Sequence, residues 1–229
     1  MDLSDIYHHR FDARDRAMMT RVWKVLVEDC FQRWIKPTDL VLDLGAGLCL
    51  FINHVRARKK IAADANPEAA KYCAPDVAFI EIRDVDKLDL GEPIDVVFAS
   101  NFFEHLDNSE AVLRTLRAIH GRLHSGGRLI ILQPNFALVG ASYFDFIDHK
   151  TILTDVSLRE ALLITGYEVL FYKKRFLPYT SKSRLPKAAW LVRLYLKFPI
   201  AQYLFGKQTL VIATPKPIPS SPFHPHLQA

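Results

Sequence analysis

Hydrophobic positions recur at helical spacing over residues 14–35, where Met18, Val22, Val25, Leu26 and Phe31 mark one face. Pro37 ends the pattern, because it lacks the amide hydrogen a continuing helix needs. The period then changes. Residues 40–44 form a short apolar run that predicts a strand, 45–47 a glycine turn and 48–58 a helix. Residues 61–64 predict a second strand, 67–72 a helix with Pro67 near its first position, 77–82 a third strand and 94–100 a fourth. A helix over 109–123 with Ser109 as N-cap, a turn at 125–127 and a fifth strand over 128–133 follow. Residues 157–165 predict a helix that Gly166 stops, with strands over 167–176 and 208–214. Alternating strands and helices imply βαβ units and a parallel sheet. The unbroken apolar run Val96, Val97, Phe98 and Ala99 suits a strand covered on both faces. Ligands of such sheets bind beyond the carboxyl ends of the strands, where strand order reverses. The loops after Leu44, Asp64, Ile82, Ser100 and Gln133 are therefore the candidates.

Composition narrows this picture. The chain has 229 residues, 50% of them hydrophobic, which suits one domain with a substantial core. No apolar run approaches the ~20 residues that span a bilayer, and the polar N-terminal stretch lacks a signal-peptide pattern. A cytoplasmic location is the expectation. Cys30, Cys49 and Cys73 are odd in number, match neither a zinc site nor a disulfide framework, and read as small buried residues. No metal-ligand set is expected. The net charge of +5 hides an asymmetry: no Asp or Glu follows Glu168, while ten Lys and Arg do, so the first 168 residues carry a net −5. A basic C-terminal third suits an anionic partner or a solvated basic face.

The chemistry begins at Asp43-Leu44-Gly45-Ala46-Gly47, directly after a strand. Gly45 permits a tight turn and Gly47 close approach of a ligand to the backbone. Asp64 ends the next strand 21 residues on, where a carboxylate can accept both hydroxyls of a ribose. A dinucleotide fingerprint would place glycine where Leu50 stands. A carboxylate at Asp43 would also repel pyrophosphate but attract the amino group of a methionine moiety. S-adenosylmethionine fits both acids better.

With these motifs in order, the sequence resembles the class I S-adenosylmethionine-dependent methyltransferases that act on small molecules. Residues 43–47 match that family's first motif, and Asp64 its ribose acid. Arg83-Asp84-Val85 resembles the adenine-binding segment, residues 95–105 the fourth motif, and 123–135 the glycine turn, fifth strand and following loop. The family carries a third glycine where this chain has Cys49. The resemblance implies an α/β, Rossmann-like, seven-stranded, mostly parallel sheet with helices on both faces and an antiparallel last strand. It implies a methyltransferase domain over 37–214, preceded by an N-terminal lid or helix over 1–36, interrupted by an insertion at 177–207, and followed by a loose tail at 215–229. The implied cofactor-binding residues are Asp43, Leu44, Gly45, Ala46, Gly47, Asp64, Ala65, Asp84, Val85, Asn101 and Phe102.

Methyl transfer from a sulfonium needs alignment above all, and a base only where the acceptor must lose a proton. His149, beside Asp148 in the segment after the fifth strand, is the expected base. His105 is a second candidate, or a capping or cofactor-packing residue. Asn135, Tyr143 and Asp148 are expected to line the acceptor site. Tyr7, His8, His9 and Phe11 suggest an N-terminal lid or a frayed end. The insertion contains Lys182, Arg184 and Pro186 and predicts a helix over 187–198 with Arg193 and Lys197 on one face. It reads as a lid, a dimer interface, plain packing, or a peripheral membrane contact through 187–205. From residue 175 through this helix the chain resembles bacterial methyltransferases of cell-surface glycan assembly. That resemblance points to methylation of an O or N of a small molecule, a phosphorylated or lipid-linked sugar. Two alternatives stay open: an RNA methyltransferase, although no RNA-binding module is visible, and a catalytically inactive cofactor-binding regulatory or scaffold protein.

Overall fold

The computed structural model describes residues 13–179 and 188–216. Seven strands, β1 Leu40–Leu44, β2 Lys59–Asp64, β3 Val77–Glu81, β4 Ile94–Ser100, β5 Leu123–Pro134, β6 Tyr167–Lys173 and β7 Gln208–Pro215, form one sheet in the order β3-β2-β1-β4-β5-β7-β6. Pairings from β3 through β5 are parallel, and β7 is inserted antiparallel between β5 and β6. The helices are α1 Ala13–Leu26, α2 Ser109–His120, α3 Phe136–Val139, α4 Asp155–Ile164, α5 Ala189–Lys197 and α6 Pro199–Phe205. The sheet is mixed and Rossmann-like, as the motifs imply.

Each central strand is largely apolar because it feeds two cores. Side chains alternate across a strand, so Leu42, Leu44, Val97, Ala99, Leu129 and Ile131 pack on one face with Leu116 and Leu158. Val41, Val96, Phe98, Ile130 and Leu132 pack on the other with Leu26, Phe31 and Phe51. Burying a side chain of this size stabilises by about 1.5–3 kcal/mol. Strand order reverses at β1, whose neighbours are β2 and β4, so the loops after β1 and β4 flank one crevice.

Local chemistry sets the element ends. Asn108, not Ser109, caps α2, its side chain accepting from the Ala111 amide. Thr154 and Ser157 form a reciprocal capping box that starts α4 at Asp155, two residues before its expected start. The expected helix over 48–58 is instead a series of turns ending in the 3-10 turn Ile52–His54. Gly47 and Cys49 both have left-handed backbone (φ 53° and 54°), which a right-handed helix cannot contain. The helix expected to run to 35 changes to a π turn at Val27–Phe31 and a 3-10 turn at Gln32–Trp34. Pro199, suited to a first helical position, opens a second short helix that periodicity alone had not separated. The expected lid residues Tyr7, His8, His9 and Phe11, the basic residues Lys182 and Arg184, and the tail from 217 on lie outside the described residues.

Candidate active site

The turn after β1 is held from below by β2. Gly45 and Ala46 amides donate to the Ala63 carbonyl at 2.8 and 3.2 Å. The Asp64 carboxylate accepts from the amides of Gly47 and Asn66, each at 2.8 Å. Asp64 thus braces the glycine turn. Gly45 has φ 71°, and a Cβ there would come within 2.7 Å of the Phe102 ring. Only glycine satisfies both constraints.

Asp43 is buried at the end of β1, accepting from the Ile52 amide. Burial pushes its carboxyl up to about 8, and the neighbouring Asp64 charge adds to the rise. Burial also raises Asp64, opposed by the amides it accepts. An anion costs free energy in such surroundings unless a cation or donor meets it, so the site is poised for a positively charged group. Asp43, Gly45, Ala46, Gly47, Ser100, Asn101 and His105 line a cleft with Leu48, Leu50, Phe51 and Phe98, and Met19 and Trp23 of α1 close it from outside. Phe51 stacks on Phe98 at 3.6 Å between centroids, giving the cleft a flat aromatic floor. Asn101 sits in left-handed backbone (φ 50°) and accepts from the Gln208 amide at 3.1 Å.

Other expected cofactor residues fall nearby in different roles. Leu44 is buried in the core, its side chain turned away from the cleft. Ala65 is half-buried beside Asp64. Asp84 caps the turn Val85–Lys87, and Val85 is buried beneath it. Phe102 packs against the core, its ring close over Gly45.

Beyond the mouth of β4 stands a second group. Glu104 is fully buried, its Oε2 accepting from Gln133 at 2.9 Å, its carbonyl accepting from the amides of Lys150 and Thr151 at 2.8 and 3.1 Å. Those backbone bonds tie the 3-10 turn Phe103–His105 to the segment holding Asp148 and His149. His105 Nδ1 lies 3.1 Å from the Asp148 carbonyl and 3.4 Å from its carboxylate. His149 stands 5.1 Å from the His105 ring, stacked on Phe146, with Tyr179 Oη 3.5 Å from its Nδ1. The two expected base candidates are therefore neighbours. Asn135 and Tyr143, expected to line the acceptor site, are instead interior groups. Asn135 is sealed by bonds to Asp155 and Thr209 and caps α3. The Tyr143 hydroxyl donates to the Thr151 carbonyl, and its buried ring meets His149 at a tilt, 4.7 Å between centroids. Sequence reasoning missed Met19, Trp23, Phe51 and Phe98, whose apolar character reads as core, and Glu104, which sits unremarked inside an aromatic run.

A sheet of this order, with a buried acid and a glycine turn at its reversal point, defines the methyltransferase class of α/β fold. Residues 42–131 match the family model of the methyltransferase domain. No curated protein matches the chain. Among solved structures, a chain from the complex of the Haloferax volcanii Trm112 methyltransferase activator with a methyltransferase aligns over 95% of this chain and 99% of its own, at 17% identity and TM-score 0.67. A methyltransferase from Archaeoglobus fulgidus aligns over 84% and 92%, at 20% identity and TM-score 0.59. One from Clostridium acetobutylicum aligns over 86% and 92%, at 13% and 0.58. These likenesses concern the fold. Residues 42–131 thus carry a methyltransferase domain, with S-adenosylmethionine as its cofactor. The residues present fit that molecule: the Gly45 cradle admits no Cβ, and the buried Asp43 offers a carboxylate to an ammonium. When bound, it supplies an electrophilic methyl group.

Proposed function

We propose that this chain methylates an oxygen or nitrogen of a small, phosphorylated or lipid-linked sugar. The observation that carries the reading is the adjacency of the Asp43–Gly47 cleft to the His105–His149 pair, since His105 belongs to both. A donor seated over the glycine turn would direct its reactive end toward these imidazoles. His149 is the acceptor base in this reading, held between Phe146 and Tyr143. Asp148 positions His105 through its carbonyl and carboxylate. The test is transfer of labelled methyl from S-adenosylmethionine to a panel of sugar phosphates and lipid-linked sugars. Incorporation into sugar, abolished by Asp43→Ala, supports the reading. Incorporation into RNA alone, or binding without turnover on any acceptor, overturns it.

A membrane-facing acceptor has its own support. Trp190, Leu194, Ile200, Tyr203, Leu204 and Phe205 of α5 and α6 are all exposed, an unusual concentration of apolar surface. Lys197 and Lys207 flank it and no acidic residue follows Glu168, so an anionic lipid surface is the complementary occupant. No helix among the described residues is long and apolar enough to cross a bilayer.

A further inference from the structure

We propose that Glu104, His105 and His149 form a binding site for a divalent first-row transition-metal ion on the acceptor side of the cleft. One ligand atom from each of these residues lies within 4.8 Å of the others. Ions of this class hold oxygen and nitrogen ligands at about 2.0–2.2 Å, which sets ligand-to-ligand separations of about 3–4 Å. Small rotations of two imidazoles close that difference. Two imidazoles and one carboxylate are a donor set suited to such ions more than to magnesium or calcium.

A second observation points to the same place independently. Glu104 is fully buried, and its Oε1 has no hydrogen-bond partner among the described residues. Gln133 serves only the other oxygen. A buried carboxylate with one oxygen unmet is costly unless something positive or donating meets it. Asp148 holds the His105 ring through its carbonyl and carboxylate, the kind of outer contact that orients a ligating imidazole. The aromatic rings of Tyr143 and Phe146 wall the His149 side.

Because His105 also lines the cofactor cleft, an ion here would hold an acceptor oxygen beside the donor and favour its ionised form, a role that would replace His149 as the base because its imidazole would then be a ligand. That role rests on the methyl-transfer reading; the binding itself does not. The experiment is a titration of the full chain, stripped with a chelator, with cobalt(II). Visible ligand-field absorption and calorimetry provide the readout, and no methyl transfer is measured. One equivalent should bind with an absorption band showing nitrogen ligation. Glu104→Gln and His149→Asn should each weaken it at least tenfold, while His120→Gln, a histidine bonded to the Lys216 carbonyl elsewhere on the fold, should not. Retained binding of S-adenosylhomocysteine by both site variants shows that they are folded. Absence of saturable cobalt binding overturns the proposal. So does wild-type cobalt affinity in both site variants, or loss of the band in His120→Gln.

Discussion

Asp43 shows how a single side chain couples burial to ligand choice. Its ordinary carboxylate range lies near 4, and burial lifts it to about 8 in the folded chain. A folded pKa above the unfolded one means that the native state holds the proton longer. The contribution is therefore full below about 4 and is lost progressively as pH climbs through about 8. Asp43→Asn removes the titration. We expect the variant and the parent to melt together near pH 4, and the variant to melt higher at pH 8, by roughly 5 °C or more; equal melting curves at both pH values would refute this. The same substitution should abolish measurable S-adenosylmethionine binding in calorimetry. Gly45→Ala meets the Phe102 ring and a left-handed φ at once. It should cost on the order of 1–2 kcal/mol by chemical denaturation and weaken cofactor binding more than tenfold. Cys49 occupies left-handed backbone, a conformation that glycine adopts most readily. Its sulfur lies 3.3 Å from that of Cys73, a neighbour 24 positions away that no sequence spacing reveals.

At the level of elements, the motifs were legible where chemistry is local. β4 has its expected bounds because every residue from Ile94 to Ser100 except Asp95 and the terminal Ser100 is apolar and buried. The glycine turn was legible because close approach to the backbone demands glycine, and Asp64 because an acid at a strand end stands out; its carboxylate braces the turn through the Gly47 amide. The segment after β1 was misread because backbone sign at Cys49 leaves no trace in hydrophobic period. Asn135 looked like an acceptor residue because it follows β5, yet its amide is consumed by Asp155 and Thr209, which are distant in sequence. Glu104 was invisible as a site residue because burial and an unmet oxygen are tertiary properties. α5 and α6 carry the element-scale prediction. Ile200→Glu with Leu204→Glu, both on exposed positions, should leave folding intact and cut sedimentation with phosphatidylglycerol vesicles several-fold. Binding to neutral vesicles should be weak for both proteins. Undiminished pelleting of the double variant would refute a lipid-facing role for these helices.

Across the whole molecule, charge is divided along the chain and reunited in space. Arg193 of α5 pairs with Asp29 at 3.1 Å and Glu28 at 3.2 Å, just beyond α1. The basic C-terminal excursion is thereby joined to the acidic first part of the chain. Since Met19 and Trp23 of α1 also close the cofactor cleft, these pairs act as a clasp on its outer wall. Exposed pairs contribute only about 0–1 kcal/mol each and are screened by salt. Cofactor affinity should therefore fall a few-fold between low and high ionic strength. Arg193→Gln should start weaker and respond less to salt, and equal salt slopes in calorimetry would dispose of the clasp. An anionic surface gathering Arg193 to itself would loosen the same clasp from outside. Were the chain to meet such a surface, contact and donor exchange would become one event.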